Sequence, residues 1–203
     1  NDRFYSVAYD EKSYTLWVYL DQYSQAAQVL LEFIHENPAS EDSAGYLYEA
    51  ARIYERGGML TEASATWARM IDEYPAAELS YRGLFLSAIT QYRLGNLSQA
   101  QVIFQRALVL ATTPSDQAAA NFWIGKIQSS SGDAGEARAS WLQASTLDPG
   151  GFYSERARDL LASVAPFQTS GIYHLDYNLD EERGLAEIWM RSTFNISPDV
   201  DLD

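Results

Sequence analysis

The chain has 203 residues, of which 47% are hydrophobic, so it can bury a substantial core and does not have the composition of a disordered protein. Its formal net charge of −14 would repel a phosphate backbone, which argues against nucleic acid as a partner. Cysteine is absent, which excludes disulfides and thiolate metal sites, and no apolar run reaches the roughly 20 residues of a membrane span.

The first part of the chain predicts a poorly defined start followed by a helix. Residues 1–12 have the mixed character of a frayed start or the remainder of an earlier helix. Residues 25–36 then place apolar side chains on one helical face, and Asn37-Pro38 ends the pattern because proline cannot continue a helix. The chain begins at Asn1 without an initiator methionine or a signal peptide, so we expect it to be a piece of a longer protein.

The next stretch predicts two helices joined by a glycine turn. Residues 43–56 carry an amphipathic stripe, and Gly57-Gly58 ends it in the manner typical of a helix C-terminus. A second helix follows and runs to Tyr74-Pro75. Side chains suited to capping the second helix of each pair are Ser24, Thr61, Ser98 and, in the last pair, Asp133.

This helical pair recurs at intervals of 37 residues, which indicates a solenoid. The second helices repeat a small residue, a large apolar residue and a third core residue as Ala26/Leu30/Phe33, Ala63/Trp67/Met70, Ala100/Phe104/Ala107 and Ala137/Trp141/Ala144. The turn glycines Gly58, Gly95 and Gly132 keep the same interval. Small residues on the first helices (Ala51, Ala88, Gly125) face Ala63, Ala100 and Ala137, so the two helices of each pair can approach closely.

The order Leu47, Ala51, Tyr54, Gly58, Ala63, Trp67 and Pro75 resembles the tetratricopeptide repeat pattern. The resemblance implies an all-α, right-handed superhelix of αα-hairpins with units of about 7–43, 44–80, 81–117 and 118–151. In the first unit Tyr14 and Asp21 stand where a small residue and a glycine are expected. We expect residues 152–163 to form a capping helix, followed by a linker, a helix over 179–194 and an acidic tail.

Residues 147–192 resemble the segment that precedes the catalytic domain of bacterial soluble lytic transglycosylases, which cleave peptidoglycan. The residues that carry this resemblance are the run Gly151-Phe152-Tyr153-Ser154, the Ala157-Arg158 and Leu160-Leu161 pairs, a tyrosine-containing linker and the helix with Trp189. The resemblance implies a catalytic domain outside this chain, because the family's Glu-Ser pair and Gly-Leu-Met-Gln stretch do not occur here.

No catalytic or cofactor-binding pattern is present in the sequence. His35 and His174 are far apart, and the neighbours Glu181 and Glu182 point in different directions on a helix, unlike the paired carboxylates of a glycosidase. Asp199, Asp201 and Asp203 are better explained as an acidic tail than as the start of a calcium loop. We therefore predict no enzyme activity, no cofactor and no metal site in this chain.

The repeat register does predict a binding surface. In the family that the repeats resemble, the first helices line a concave groove, and the groove positions here carry aromatic and cationic side chains: Tyr48, Arg52, Arg56, Phe85, Tyr92, Arg93, Phe122 and Lys126. Aromatic rings stack on sugars or peptide side chains, and arginine binds carboxylates. The alternative is that the rings pack between units and the cations pair with acidic neighbours such as Glu49 and Glu55.

These patterns leave two hypotheses for function. The first is a non-catalytic superhelical region of an exported lytic transglycosylase, which would place a peptidoglycan glycan strand or a partner protein near a downstream catalytic domain. The absence of cysteine fits this extracytoplasmic location. The second hypothesis is a general tetratricopeptide-type scaffold, in the cell envelope or the cytoplasm, that binds a protein or peptide in the groove.

Overall fold

A computed structural model describes residues 2–75, 79–164 and 178–201, which fall into two separate units, one before and one after the undescribed residues 165–177. The described residues form ten helices and no β-strand. In chain order these helices are α1 (Asp2–Tyr19), α2 (Tyr23–Glu36), α3 (Ser43–Arg56), α4 (Leu60–Glu73), α5 (Ser80–Arg93), α6 (Leu97–Leu110), α7 (Pro114–Ser130), α8 (Ala134–Leu147), α9 (Phe152–Leu161) and α10 (Leu179–Phe194). The predicted all-α solenoid of αα-hairpins is confirmed.

The first helix corrects one prediction from the sequence. Residues 2–19 form a single helix of 18 residues, so residues 2–12 belong to the first helix of the first hairpin and are neither a frayed start nor the remainder of an earlier helix. The pattern was hard to recognise because the buried positions of this helix are small polar residues, Ser6 and Ser13, while Leu16 and Trp17 pack against the core only partly buried. The Ser13 hydroxyl donates a hydrogen bond of 3.0 Å to the Ala26 carbonyl, which joins α1 to α2.

The turn inside each hairpin depends on a left-handed residue. Gly58, Gly95 and Gly132 have φ values of +74°, +80° and +89°, a region that glycine enters without steric cost. After Gly58, the Met59 amide donates to the Tyr54 carbonyl at 2.9 Å, which completes a Schellman motif. Asp21 takes the place of glycine in the first hairpin and has a φ of 53°. The first hairpin therefore keeps a left-handed residue at the turn although it lacks the glycine.

Three of the four predicted N-caps lie two residues beyond the observed N-cap position. The helices α2, α4 and α6 begin at Tyr23, Leu60 and Leu97, so Ser24, Thr61 and Ser98 lie inside their first turns. Asp133 does precede α8, but its side chain makes no capping hydrogen bond. The physical reason is the Schellman turn, which leaves a single residue between the left-handed glycine and the next helix.

Small residues bring the two helices of each hairpin together, as the repeat predicted. Ala51, Ala63, Ala88 and Ala100 are all fully buried. In the fourth hairpin a Cβ atom added at Gly125 would lie only 2.5 Å from Trp141 Nε1. The close approach there therefore depends on the absence of a side chain.

Large residues of the second helices fill the space between successive hairpins. Trp67 and Phe104 are completely buried, and Trp67 with Met70 lies against Gly83 of the following hairpin. Trp141 is only half-buried, and its indole N–H donates to the Phe122 carbonyl at 3.2 Å. Helix α9 covers this last hairpin, with Ala157 buried in a cluster with Phe122 and Ala144.

The second unit is a helix with both ends capped. The Asn178 side chain accepts hydrogen bonds from the Asp180 and Glu181 amides, and Asn195 ends α10 in the left-handed conformation. No residue of α10 is buried, and Leu185, Ile188 and Trp189 of its apolar face are exposed. None of the described helices is long and apolar enough to cross a membrane.

The crowding at Gly125 generates a stability prediction. Gly125→Ala should lower the free energy of unfolding by about 1–3 kcal/mol, because the new methyl group overpacks the contact with Trp141. Gly45→Ala is the control, since Gly45 has nothing within 4 Å of an added Cβ and alanine is the better helix former. Urea unfolding followed by circular dichroism measures both; equal midpoints for the two variants would contradict the prediction.

Candidate functional site

The first helices of successive hairpins, α1, α3, α5 and α7, are joined to one another by polar contacts. The Tyr46 hydroxyl of α3 donates to the Ser6 carbonyl of α1 at 2.8 Å. The Tyr81 hydroxyl of α5 donates to the Asp116 carbonyl of α7 at 2.9 Å. The Thr90 hydroxyl of α5 also donates to the Glu55 carboxylate of α3, so polar contacts link each first helix to the next one.

The predicted aromatic groove residues are largely packing residues. Tyr48 is only 8% exposed, and its ring meets that of Trp67 edge-on with the centroids 5.2 Å apart. Its burial also raises the pKa of the Tyr48 hydroxyl. The structure therefore places Tyr48 in the core of the second hairpin, as the packing alternative expected.

The rings of Phe85 and Phe122 also pack against another ring, which belongs to a residue that the repeat register did not identify. Tyr153 of α9 has its ring centroid 5.5 Å from that of Phe122 and 6.3 Å from that of Phe85. Phe122 is buried and Phe85 half-buried. Because Tyr153 belongs to the capping helix, the 37-residue interval carries no information about this contact.

Arg52 is paired within its own helix. Its guanidinium lies 2.8 Å from the carboxylate of Glu55, which was one of the expected acidic partners. Glu55 is itself only 7% exposed and accepts a hydrogen bond from the Thr90 hydroxyl of α5. The Arg52–Glu55–Thr90 group therefore connects two hairpins as well as placing a cation at the surface.

Two other cations rest on aromatic rings. The Arg56 guanidinium carbon lies 4.4 Å from the ring centre of Trp17 in α1. The Lys126 ammonium lies 4.5 Å from the ring centre of Trp123, and the Trp123 ring contacts Tyr92 of α5 at 5.2 Å. Cation–π contacts of this kind restrict long side chains that would otherwise sample many rotamers.

Helix α5 carries two exposed arginines. Arg93 is exposed, and so is Arg82, which the sequence analysis did not include. Arg82 is close enough to Tyr48 to oppose the rise in its pKa. The α5 sequence contains no aspartate or glutamate that could neutralise these two arginines. We call the exposed and half-exposed set on α3, α5 and α7 the A-helix surface: Arg52, Arg56, Arg82, Tyr92, Arg93 and Lys126.

The sequence carried a partial signal for the residues that were missed. Arg82 lies three residues before Phe85, on the same helical face, and could have been found by testing that offset. Trp17 and Trp123 occupy unrelated places in the repeat, so periodicity could not indicate that both would carry a cation. Arg56 contacts Trp17 across two neighbouring hairpins, whereas Lys126 and Trp123 lie three residues apart on α7.

The described residues contain no cluster of three or more His, Asp or Glu side chains that could hold a metal ion. His35 is exposed at the end of α2, whereas His174 lies outside the described residues. Glu181 and Glu182 are both exposed near the start of α10, where carboxylates favour the positive end of the helix dipole. The arrangement of the described residues instead supports binding of a ligand through charged side chains and aromatic rings.

Comparisons with known proteins identify tetratricopeptide repeats. Two family models described as tetratricopeptide repeat match residues 46–77 and 85–152. A tetratricopeptide repeat protein from Parabacteroides merdae aligns with a TM-score of 0.63 at 15% identity, covering 93% of this chain and 66% of that one. MamA from Desulfovibrio magneticus RS-1 aligns with a TM-score of 0.61 at 14% identity, covering 95% and 96%.

A third solved structure, BtubC from P. vanneervenii, aligns with a TM-score of 0.58 at 16% identity, covering 84% of this chain and 69% of that one. No curated protein sequence gives a significant match. At these identities the structural likeness establishes the fold alone, and the fold is a tetratricopeptide-like solenoid.

The hydrogen bond between Glu55 and Thr90 generates a second stability prediction. Thr90→Val should lower the free energy of unfolding by about 1.5–3 kcal/mol, because it removes a donor to a buried carboxylate while keeping the side-chain shape. Thr146→Val is the matched control, since Thr146 is exposed and bonds only within its own helix. Thermal unfolding of both variants measures the difference; a Thr90→Val variant as stable as the control would refute the prediction.

Proposed function

We propose that this chain of tetratricopeptide repeats is a protein-binding scaffold that holds an acidic segment of a partner against the A-helix surface. The observation that carries the proposal is the pair of exposed arginines on α5, Arg82 and Arg93, on a helix without any carboxylate. In a chain with a net charge of −14, such a helix is a local exception to the overall charge. Tetratricopeptide repeats bind protein partners, and the fold is generally non-catalytic.

The chemistry of the A-helix surface favours a carboxylate-bearing ligand. Guanidinium groups present several N–H donors in a planar fork that matches a carboxylate, and such charge-assisted bonds are about twice as strong as neutral ones. Arg56 and Lys126 are held on aromatic rings, so less side-chain entropy is lost when they bind. Tyr92 is half-exposed, with its ring centre 5.7 Å from the Lys126 ammonium, and can contact apolar parts of the same segment.

The co-chaperone type of groove, which grips an acidic C-terminus with a defined lysine and asparagine set, is not the model for this surface. Tyr48 and Arg52 occupy the first pair of those positions, and Leu86 occupies a later cationic one. Tyr48 is buried and Arg52 is paired with Glu55. The proposed ligand is therefore an internal acidic segment of the partner, bound mainly by side chains of α5.

A peptide array tests this proposal. We expect peptides selected by the chain to be rich in Asp and Glu, and the affinity of a selected peptide to fall at least about tenfold in the Arg82→Glu/Arg93→Glu variant, because two attractive charges become repulsive. Fluorescence polarisation with the labelled peptide measures the affinity. Binding should also weaken as salt is added.

The control variant is Arg106→Glu/Arg138→Glu, which makes the same change of net charge on exposed positions of α6 and α8. It should bind the selected peptide nearly as well as the original chain. Equal losses in the two variants would show that net charge, and not the A-helix surface, controls binding. Selection of peptides without acidic residues would reject the proposal outright.

We further propose, as a second candidate, that the scaffold is the non-catalytic region of an exported lytic transglycosylase. The observation that favours it is the resemblance of residues 147–192 to the segment before that family's catalytic domain. Under this proposal the partner is a peptidoglycan glycan strand or an envelope protein, the location is extracytoplasmic, and a downstream domain supplies the catalytic glutamate. The comparisons with known proteins provide no link to this family.

Purified peptidoglycan sacculi test the second candidate. The chain should sediment with the sacculi, and soluble glycan strands should compete it away, because sugar rings would occupy its exposed aromatic side chains. The coding sequence downstream of Asp203 should also encode the family's Glu-Ser pair and Gly-Leu-Met-Gln stretch. A chain that stays in the supernatant, or a downstream domain without the catalytic segment, would reject this candidate while leaving the peptide-binding proposal intact.

A further inference from the structure

We propose that a cleft at the first hairpin, distinct from the A-helix surface, binds an arginine side chain of a partner protein. The cleft lies between α1 and the connection from α2 to α3 and has a volume of about 1010 Å³. Its walls combine the rings of Tyr5, Phe33 and Tyr46 with the carboxyl groups of Asp10, Glu36, Glu41 and Asp42. None of these residues belongs to the A-helix surface.

The aromatic wall is held in place by the core of the hairpin. Phe33 is 3% exposed, and its ring centroid lies 5.0 Å from that of Tyr46 and 6.0 Å from that of Tyr5. The Tyr46 hydroxyl is fixed by its hydrogen bond to the Ser6 carbonyl. The rings are therefore oriented before any ligand arrives, which reduces the entropy lost on binding.

The acidic wall contains a carboxylate that is kept ionised. Glu36 accepts hydrogen bonds of 2.7 Å and 2.9 Å from the hydroxyl groups of Tyr5 and Tyr9. These hydrogen bonds lower the pKa of Glu36, since they stabilise its charged form. Asp10, Glu41 and Asp42 are exposed and also line the cleft, and none of its described lining residues is Lys, Arg or His.

This combination favours an organic cation over a metal ion. The described carboxylates of the cleft do not form a group of three that could ligate a metal. Aromatic faces instead attract cations through their quadrupoles, and carboxylates pair with them by hydrogen bonds. The planar guanidinium of arginine can do both at once, which the compact ammonium of lysine does less well.

The size of the cleft also suits a side chain presented by a protein. A volume near 1010 Å³ is at the upper end of small-ligand pockets, so the cleft has room for the side chain and the adjoining backbone. The strong negative charge of the whole chain would draw a basic segment toward it. A partner segment that carries an exposed arginine is therefore the expected occupant.

Titration of the whole chain with a short arginine peptide tests the inference by NMR. The probe is acetyl-Gly-Arg-Gly-amide, and the neutral comparison is the same peptide with citrulline in place of arginine. We expect amide shifts confined to the cleft, around Val7, Asp10, Ser40 and Tyr46, with a millimolar dissociation constant. The citrulline peptide should produce none of these shifts, because it keeps the shape and loses the charge.

Two variants with the same change of net charge separate the cleft from the general acidity of the chain. Asp10→Asn/Glu36→Gln removes two carboxylates from the cleft and should weaken arginine binding about tenfold or more. Glu32→Gln/Glu49→Gln removes two exposed carboxylates that do not line the cleft and should leave binding unchanged. Circular dichroism verifies that both variants remain folded.

Three outcomes would overturn the inference. The first is that arginine shifts amides over the whole acidic surface, and the second is that both charge variants weaken binding equally. The third is that Ca²⁺ alone reproduces the cleft shifts, which would make the cleft a metal site. Because the A-helix surface contributes no residue to the cleft, failure of the acidic-peptide experiment would not affect this test.

Discussion

Close approach of two helices at a pair of small residues is the constraint on which the rest of the structure depends. In the second and third hairpins an alanine of the first helix meets an alanine of the second, and all four are fully buried. This approach leaves space beyond the pair for Trp67 or Phe104, which then packs toward the next hairpin. Enlarging the small residue would separate the helices and displace the large one, so one contact controls both the hairpin and its stacking.

Stacking in turn decides where charge is exposed. The first helices lie side by side, so the rings of Trp17 and Tyr92 lie within reach of cations on neighbouring hairpins. Arg82 and Arg93 extend from a helix that has no carboxylate. At the start of the solenoid the connection after α2 brings Glu41 and Asp42 to a cleft that already contains Asp10 and Glu36. A protein of net charge −14 thus presents a cationic surface and a strongly acidic cleft on different parts of one fold.

The candidate site was only partly predictable, and each difference has a local explanation. Arg52, Arg56, Arg93 and Lys126 were found because groove positions follow the repeat register. Their degree of exposure was not predictable, since Arg52 meets Glu55 and Arg56 meets Trp17 through rotamers that the register does not specify. Tyr48 and Phe122 were assigned to a groove because the register shows only which side of a helix they occupy.

The sequence by itself determined the helical hairpins, their interval of 37 residues and the small-to-small contacts, because each depends on side chains within one or two turns or on a repeated spacing. It also indicated the left-handed turn at Gly58, Gly95 and Gly132, which only a few residue types adopt easily. The tertiary structure alone decided that Tyr153 covers Phe85 and Phe122, that Thr90 supports Glu55, and that the walls of the acidic cleft meet. These contacts join residues that lie on different helices, and no local pattern encodes the distance or orientation at which such residues come together.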